Sequence, residues 1–314
     1  MRAVASYILK GPSQAVLSAS VPAAFSVAAP FLLKLLLIYF TAAVIALVCL
    51  RLGAKKGLII LLAASAAALV AAAVIELGSL AKLDLWNAVL LWGVTWATAS
   101  MLYLTRSLAL TLEFLALVSL APVVIFFMVV DQPRELSRQL LEPMRQVLVD
   151  PAAGFTPQQV EEMMGPVIDI LPGSIVAYTV LGIIISLFIA RSWQAGLFNP
   201  GAWQQEFRLL RLNTKAAIAT MILFIALMFV SALNEQLALM LENCSVVIGM
   251  IVVVFGLSIV HGLVASHERS GFWLGGVYVF LFLLTKIVAP VLMVLALSDV
   301  WVDYRQRFSG SKKP

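Results

Sequence analysis

Charged side chains are scarce in this sequence. Its 314 residues include 21 lysines and arginines and 16 aspartates and glutamates, together 12% of the chain, where a soluble domain has about 25%. Hydrophobic residues make up 62%, and the mean hydropathy is +1.04. A compact soluble fold of this size has too little interior to bury so much apolar surface. The composition therefore excludes a soluble enzyme and indicates an integral membrane protein.

Cysteine and histidine are also rare. The two cysteines, Cys49 and Cys244, lie in separate apolar runs, so neither a disulfide framework nor a thiolate metal cluster is expected. The two histidines, His261 and His267, are six residues apart and fall on different faces of a helix, and there is no His-Glu-x-x-His motif for zinc. We therefore expect no metal and no cofactor.

Motifs of ATP hydrolysis and of nucleophilic catalysis are missing as well. The segment from Gly53 to Gly57 lacks the spacing and the hydroxyl residue of a Walker A loop, and no Gly-x-Ser-x-Gly motif occurs. The net charge of +5 would suggest nucleic acid in a soluble chain. Here, however, the basic residues stand in short segments between apolar runs, as the positive-inside rule describes. We expect no enzymatic activity and no nucleic-acid partner, and any ATP-driven step would need another subunit.

Apolar windows account for most of the chain, and a helix needs roughly 20 apolar residues to cross a bilayer. We count about nine windows, at residues 14–31, 33–50, 57–77, 86–104, 107–130, 172–191, 214–233, 244–265 and 271–298. The first two could form one bent hairpin, and Lys286 or Pro290 could break the last. None shows the alternation of a barrel strand. The sequence predicts an all-α, polytopic transmembrane helix bundle of about eight or nine spans, with the lipid bilayer as its partner.

Charge between the windows predicts the orientation and the domain organisation. Segments rich in arginine and lysine follow the second, fourth and sixth windows and are predicted to be cytoplasmic; they contain Arg51, Lys55, Lys56, Arg106, Arg191, Arg208, Arg211 and Lys215. Residues 131–171 carry three arginines against seven carboxylates, a balance of 3 − 7 = −4, and are predicted to lie outside. The predicted regions are a bundle of about five spans at 1–130, an extracytoplasmic insertion at 131–171, a bundle of about four spans at 172–298 and a basic tail at 299–314. Nine spans would put this tail outside, so its side is left open. The charge bias predicts a bacterial inner membrane.

The extracytoplasmic insertion has the pattern of two amphipathic helices. The first carries apolar residues at helical spacing, at Leu136, Leu140, Met144 and Val147. The second begins with a capping box, in which Thr156 is followed by Pro157 and then by Gln159. Such helices either lie on the lipid surface or cover a cavity between spans.

A third amphipathic helix is predicted on the cytoplasmic side, at residues 202–213. Trp203, Phe207 and Leu210 fall on one face, and the basic residues Arg208 and Arg211 stand beside them. This helix either anchors the chain to anionic lipid headgroups or docks a cytoplasmic or membrane protein partner.

Three ionisable residues fall inside the predicted spans. Glu113, His261 and Lys286 are costly to place in hydrocarbon and are therefore candidates for ligand binding. The alternative is a structural polar contact, with Lys286 extending its amine toward the headgroups.

Several short segments resemble the YybS-like family of bacterial membrane proteins. They are Arg2-Ala3, Gly11-Pro12, Phe198-Asn199-Pro200-Gly201, Glu206-Phe207-Arg208, Leu210-Arg211-Leu212, Val260-His261-Gly262 and the stretch from Asp299 to Arg307. That family has no established function and is distantly similar to the substrate-binding membrane subunits of energy-coupling-factor transporters. The resemblance implies a helical bundle that binds a small molecule and depends on separate ATPases. This sequence departs from those subunits in having about nine spans instead of six and in its insertion at 131–171.

Two functional hypotheses follow. The first is a solute-binding or transport membrane module that lacks its own ATPase, with Glu113, His261 and Lys286 at the ligand. The second is a non-catalytic interaction or assembly protein that docks a partner through the 202–213 helix. A third possibility, an enzyme acting on lipid, needs an acid and a base at one depth, and Glu113 and His261 are the only candidate pair.

Overall fold

The computed structural model describes residues 2–75, 79–150, 154–230, 234–266 and 272–308, with the backbone alone at 79–83. His267 and the part of the predicted tail beyond residue 308 lie outside these ranges. Within them the chain forms fourteen α-helices and no strand, so the all-α prediction is confirmed. The helices are α1 (Arg2–Ile8), α2 (Pro12–Ser26), α3 (Phe31–Leu52), α4 (Ala54–Val74), α5 (Ser79–Thr105), α6 (Leu108–Val129), α7 (Pro133–Val149), α8 (Pro157–Phe198), α9 (Ala202–Arg208), α10 (Thr214–Val230), α11 (Glu235–Ser266), α12 (Phe272–Leu283), α13 (Thr285–Val302) and α14 (Tyr304–Phe308).

Seven helices in the described part of the chain are long and apolar enough to cross a membrane. They are α3, α4, α5, α6, α8, α11 and α13, while α10 and α12 are apolar but shorter. The chain is therefore a multi-pass integral membrane protein, and the predicted count of about eight or nine spans fits approximately.

The first predicted window forms a short helix. With 15 residues, α2 is about 22 Å long, which is less than the roughly 30 Å thickness of a hydrocarbon core. Ala15, Ala19 and Ala23 are buried along one side of α2, which packs closely against α3 and α4. Small residues spaced four apart allow such a close approach between helix backbones.

Packing divides the chain into two compact units, each built from two separate stretches. Unit 1 comprises residues 1–115 and 181–210, and unit 2 comprises residues 116–180 and 211–314. The predicted boundaries at 130, 171 and 298 follow the order of the sequence instead, because hydropathy does not report which helices pack together.

In unit 1, α3 is the central helix, since every residue from 41 to 50 is buried. Neighbouring helices donate hydrogen bonds to its backbone. The Trp92 indole on α5 donates to the Ile38 carbonyl at 3.0 Å, and the Ser186 hydroxyl on α8 donates to the Tyr39 carbonyl at 3.2 Å. The Trp92 indole N–H and the Ser186 hydroxyl thus find their partners within unit 1, where lipid would offer none.

In unit 2, α7 forms the first predicted amphipathic helix and packs against the start of α8. The contact joins Leu141 and Leu148 to a small core that contains Val160 and Met164. The predicted apolar face is exposed along its length, at Leu136, Leu140, Met144 and Val147. The capping box at the start of α8 is confirmed, because the Thr156 N–H donates to Gln159 Oε1 at 2.9 Å and the Gln159 N–H donates to Thr156 Oγ1 at 3.3 Å.

The second amphipathic helix and the sixth predicted span are one helix, α8, with Pro166 and Pro172 inside it. Next to Pro172, the buried Asn243 of α11 bonds to the α8 backbone. Its Oδ1 accepts from the Gly173 N–H at 2.6 Å, and its Nδ2 donates to the Asp169 carbonyl at 2.8 Å. In a regular α-helix these two groups would pair with each other, so the side chain of Asn243 supports α8 beside Pro172, where a proline weakens the helix.

The ninth predicted window, 271–298, is broken into two helices. Leu284 has φ −122° and ψ 40° and separates α12 from α13, so Lys286 lies in the first turn of α13 and not in the middle of a span. The side chains of His261 on α11 and Tyr278 on α12 meet at 3.0 Å. Each of these residues is about five or six positions from the connection between α11 and α12, so the two helices run antiparallel.

The last long helix, α13, runs in the same direction as α11. A Cβ at Gly256 would lie 2.3 Å from the Leu292 carbonyl oxygen, so the two helices cross at these residues. Seven residues later, about 10 Å along α13, Asp299 accepts a bond from Arg305, which also donates to Ser258 on α11. Asp299 therefore lies nearer to the C-terminal end of α11 than Leu292 does, as expected for parallel helices.

A network of charged side chains lies at this end of unit 2, where α13 ends. The Asp299 side chain is 2% exposed, and its Oδ2 lies 2.7 Å from Nη1 of Arg305. Its Oδ1 accepts from the Tyr304 N–H at 2.9 Å. Arg211 donates to the Asp299 carbonyl at 2.7 Å and to the Asp303 carboxylate at 2.9 Å. Burial lowers the pKa of the Arg305 guanidinium, and the charge of Asp299 opposes that shift.

A second charge cluster marks the other end of α11. Arg134 on α7 bonds to Asp169 on α8 at 2.6 Å and also to Glu235, the first residue of α11. The hydrogen bond to Asp169 raises the pKa of the Arg134 guanidinium above its ordinary value. The predicted outer segment therefore contacts the N-terminal end of α11, and the Asp299 network lies toward its C-terminal end.

Candidate functional site

Three arginines from separate parts of the sequence line one cavity in unit 1. We call it the arginine cavity. Its volume is about 220 Å³, and it is lined by Leu50, Arg51, Leu102, Tyr103, Arg106, Arg191 and Gln194. No aspartate or glutamate is among these residues, so its charged lining is entirely basic.

The cavity lies where transmembrane helices end or begin. Arg51 is in the last turn of α3, and Arg106 follows the last residue of α5. At such helix ends the last carbonyls are not bonded within the helix, and a cation interacts favourably with them. α6 then begins at Leu108, with the Ser107 hydroxyl accepting from the Leu110 N–H at 3.3 Å. Two short turns thus hold basic side chains at one end of the bundle.

Arg106 adopts a backbone conformation that normally favours glycine. Its φ is +55°, in the left-handed region, and its N–H donates to the Leu102 carbonyl at 3.0 Å. Glycine is the usual residue at this position after a helix, and a non-glycine residue there costs about 1–3 kcal/mol. The strained position therefore carries a long cationic side chain where glycine would be the more stable choice.

Arg191 is held in place by two partners. Its Nε lies 2.7 Å from Glu206 Oε2, and both side chains are largely buried. Its Nη1 donates to Gln194 Oε1, and Gln194 Nε2 in turn donates to the Leu50 carbonyl at 3.1 Å. This chain of bonds joins α8 to the end of α3 and positions the guanidinium before any ligand is bound.

The other two arginines stand beside aromatic rings. The Arg51 Cζ lies 4.0 Å from the centroid of the Phe198 ring, and the Arg106 Cζ lies 6.0 Å from the centroid of the Tyr103 ring. A guanidinium that stacks on a ring uses its flat face, which leaves the N–H groups at its edge able to donate hydrogen bonds. Both side chains are exposed at the cavity.

The electrostatic balance favours an anion. Three guanidinium groups and the single carboxylate of Glu206 leave a local charge of +3 − 1 = +2. The planar guanidinium matches the oxygens of a carboxylate or a phosphate and forms two parallel hydrogen bonds with either group. The arginine cavity can therefore bind an anionic group through several charge-assisted bonds.

The ionisable residues predicted for ligand binding do not form one cluster within either unit. Glu113 is half-buried on α6 in unit 1. His261 and Lys286 belong to unit 2, where His261 contacts Tyr278 and Lys286 is exposed at the start of α13. A ligand site that uses all three residues stays a prediction. Among the residues that the structure describes, no three His, Cys, Asp or Glu side chains come together as a metal site.

The predicted docking helix is shorter than the sequence pattern indicates. α9 ends at Arg208 and does not extend to residue 213, so Leu210 and Arg211 lie beyond it. Leu210 is buried, and Arg211 bonds to the Asp299 carbonyl. These tertiary contacts take the place of further helical turns. Arg208 is the last, exposed residue of α9.

The aromatic residues of the predicted docking face pack inside unit 1. The ring centroid of Trp203 lies 4.8 Å from that of Phe188 on α8, and the ring of Phe207 lies 5.5 Å from it. Both side chains are half-buried. The apolar face of α9, which the sequence pattern assigns to a partner or to lipid, therefore covers part of α8.

In the sequence, the cavity arginines are recognisable only as markers of the predicted cytoplasmic side. The available signal was that Arg51, Arg106 and Arg191 fall in or next to segments predicted to lie on one side of the membrane. That pattern brings them to the same surface, but their convergence depends on how α3, α5 and α8 pack.

Comparisons with protein-family models, with curated proteins and with solved structures give no match. The resemblance to the YybS-like family therefore stays a prediction based on short motifs.

Proposed function

We propose that this integral membrane protein binds an anionic ligand in the arginine cavity, as a solute-binding or transport module without its own ATPase. The proposed location is the inner membrane of a bacterium, with the cavity on the cytoplasmic side. The observation that carries the proposal is the convergence of three guanidinium groups on a concave surface without a lining carboxylate. This arrangement repels cations and is stabilised when an anion enters.

The expected strength of binding follows from the hydrogen bonds available. A hydrogen bond to a charged group contributes about 1.5–3 kcal/mol, so removing one arginine weakens binding about 10- to 150-fold. Glu206 and Gln194 already hold the Arg191 side chain in place. This side chain therefore loses less conformational entropy when the ligand binds.

Native mass spectrometry of the protein, gently purified from its own membranes, tests the proposal. We expect the wild type to retain a stoichiometric anionic ligand and the double variant Arg51→Gln, Arg191→Gln to lose it. The matched control is Lys55→Gln, Lys56→Gln, which removes two exposed basic residues close to Arg51 in sequence but outside the cavity lining. A wild type without an anionic ligand would contradict the proposal, as would equal occupancy in both double variants.

Arg106→Gly is a further variant, and we expect it to fold normally. Glycine adopts the positive φ of this position without strain, so we expect a thermal stability equal to or above that of the wild type. The ligand should nevertheless bind more weakly, because one of three guanidinium groups is gone. Unchanged ligand binding in a stable Arg106→Gly protein would contradict a role for this arginine.

Docking of a protein partner through α9 is the alternative function. Its apolar residues Trp203 and Phe207 already pack on Phe188, which favours anion binding over docking. Crosslinking in native membranes with a photoreactive residue at the exposed Gln204 tests the alternative, and a single crosslinked protein of fixed stoichiometry would support it.

A further inference from the structure

We infer that the anionic group is the phosphate of an anionic phospholipid, which enters the arginine cavity from the adjoining leaflet. This inference rests on the proposed function and names its class of ligand. Three observations support it: the depth of the cavity, the apolar surface beside it and its size.

The depth of the cavity matches that of lipid headgroups. α3 has 22 residues and ends at Leu52, so it is about 33 Å long and just exceeds the roughly 30 Å hydrocarbon core. α6 has the same length and begins at Leu108. Arg51 and Arg106 therefore stand at the level where a helix of this length leaves the hydrocarbon and enters the layer of phosphates.

Apolar side chains are exposed beside the cationic ones. Leu52, Leu104 and Leu110 are 45%, 73% and 43% exposed, and each lies within four residues of Arg51 or Arg106 along the chain. A soluble anion gains nothing from these leucines. A lipid can place its phosphate against the guanidinium groups while its acyl chains cover the leucines, and burial of apolar surface then adds to the binding free energy.

The size of the cavity indicates a ligand that is only partly enclosed. At about 220 Å³, it is smaller than the 300–1,000 Å³ of pockets that enclose a whole small molecule. Such a space can hold a headgroup phosphate and leaves the rest of the lipid in the bilayer.

The experiment uses purified, delipidated full-length protein and defined probes. Phosphatidylglycerol is titrated against phosphatidylcholine of the same acyl chains, with native mass spectrometry to count bound lipids. In a parallel titration, glycerol phosphate and inorganic phosphate serve as soluble probes, and citrate serves as a carboxylate probe. The variants are Arg106→Gly and the double variant Arg51→Gln, Arg191→Gln, and the control is Lys55→Gln, Lys56→Gln.

We expect phosphatidylglycerol to bind at one site at least tenfold more tightly than phosphatidylcholine. Both arginine variants should lose this preference at least tenfold, and the lysine control should keep it. Retention of the preference in the stable Arg106→Gly protein and in the double variant would overturn the inference.

The outcomes separate this inference from the function on which it rests. If glycerol phosphate binds as tightly as phosphatidylglycerol, the ligand is soluble, which overturns the lipid inference and leaves the proposed function intact. Preferential binding of citrate has the same consequence, because it excludes phosphate as the recognised group. If none of the probes binds in an arginine-dependent way, both the inference and the proposed function fail.

Discussion

Replacing Asn243 with leucine should destabilise unit 2 by more than a typical substitution. Asn243 is fully buried, and its side chain accepts from the Gly173 N–H and donates to the Asp169 carbonyl. Leucine has a similar size but no polar atoms, so it removes both bonds. A buried backbone group left without a partner costs about 1–3 kcal/mol, and two such groups give an expected loss of about 2–6 kcal/mol.

Reversible unfolding in mixed detergent micelles, followed by circular dichroism, measures this loss. Ser245→Ala is the matched control on the same helix, because the Ser245 hydroxyl bonds only within α11, to the Glu242 carbonyl. We expect a change within about 0.5 kcal/mol for this control.

Gly173 gives an independent check of the same contact. A Cβ at this position would lie 2.5 Å from the Asn243 carbonyl oxygen and 2.8 Å from its Cα. Because these are backbone atoms, Gly173→Ala forces α8 and α11 apart and should destabilise the protein despite the higher helix propensity of alanine. A loss below about 0.5 kcal/mol for Asn243→Leu, or a stable Gly173→Ala protein, would refute the argument that the Asn243 amide supports α8.

Three further predictions concern charge, orientation and aromatic packing. Asp299→Ala leaves the mostly buried guanidinium of Arg305 without its carboxylate and should lower the free energy of unfolding by about 3–5 kcal/mol. Arg138→Gln, at an exposed ion pair, should lower it by at most about 1 kcal/mol. Equal losses in the two variants would contradict the argument from burial. In a background without native cysteines, Gln306→Cys and Gln139→Cys should react with an impermeant maleimide from opposite sides of the membrane, and labelling from one side would contradict the packing of unit 2. Trp203→Ala should lower the melting temperature, because the ring packs within unit 1, and an unchanged melting temperature would show that the contact contributes no stability.

Hydropathy predicted the helical class and most of the spans, because a run of about 20 apolar residues has few alternatives to a membrane helix. It placed the start of the sixth span at Pro172, where a proline normally ends or bends a helix. The structure continues α8 through this residue, with Asn243 of α11 bonded beside it. A partner 70 residues away in sequence has no local signal, so this continuity could not be predicted.

A break in the last predicted window was left open at Lys286 or Pro290, and the structure has it at Leu284, two residues before Lys286. Leu284 is as apolar as its neighbours, and hydropathy does not distinguish one continuous helix from two helices with a turn between them. The arginine cavity could not be predicted from hydropathy either. The sequence pattern assigned Arg51, Arg106 and Arg191 to one side of the membrane, but their common cavity exists because α3, α5 and α8 meet at this end of unit 1.

The sequence indicates an apolar face at Trp203 and Phe207, but it does not indicate which surface packs against that face. Periodicity identifies an apolar face and does not identify what packs against it. Phe188 supplies that surface from α8.

The parallel course of α11 and α13 bears on where the chain leaves the bilayer. α12 runs back along α11, and α13 returns in the direction of α11, so this pair of helices enters and leaves the membrane at the same face. Such a re-entrant hairpin adds no net crossing, and α14 emerges beside Arg211, which Asp299 and Asp303 hold at that end. The basic residues Arg305 and Arg307 therefore lie at the same end of unit 2 as Arg211, in the loop before α10.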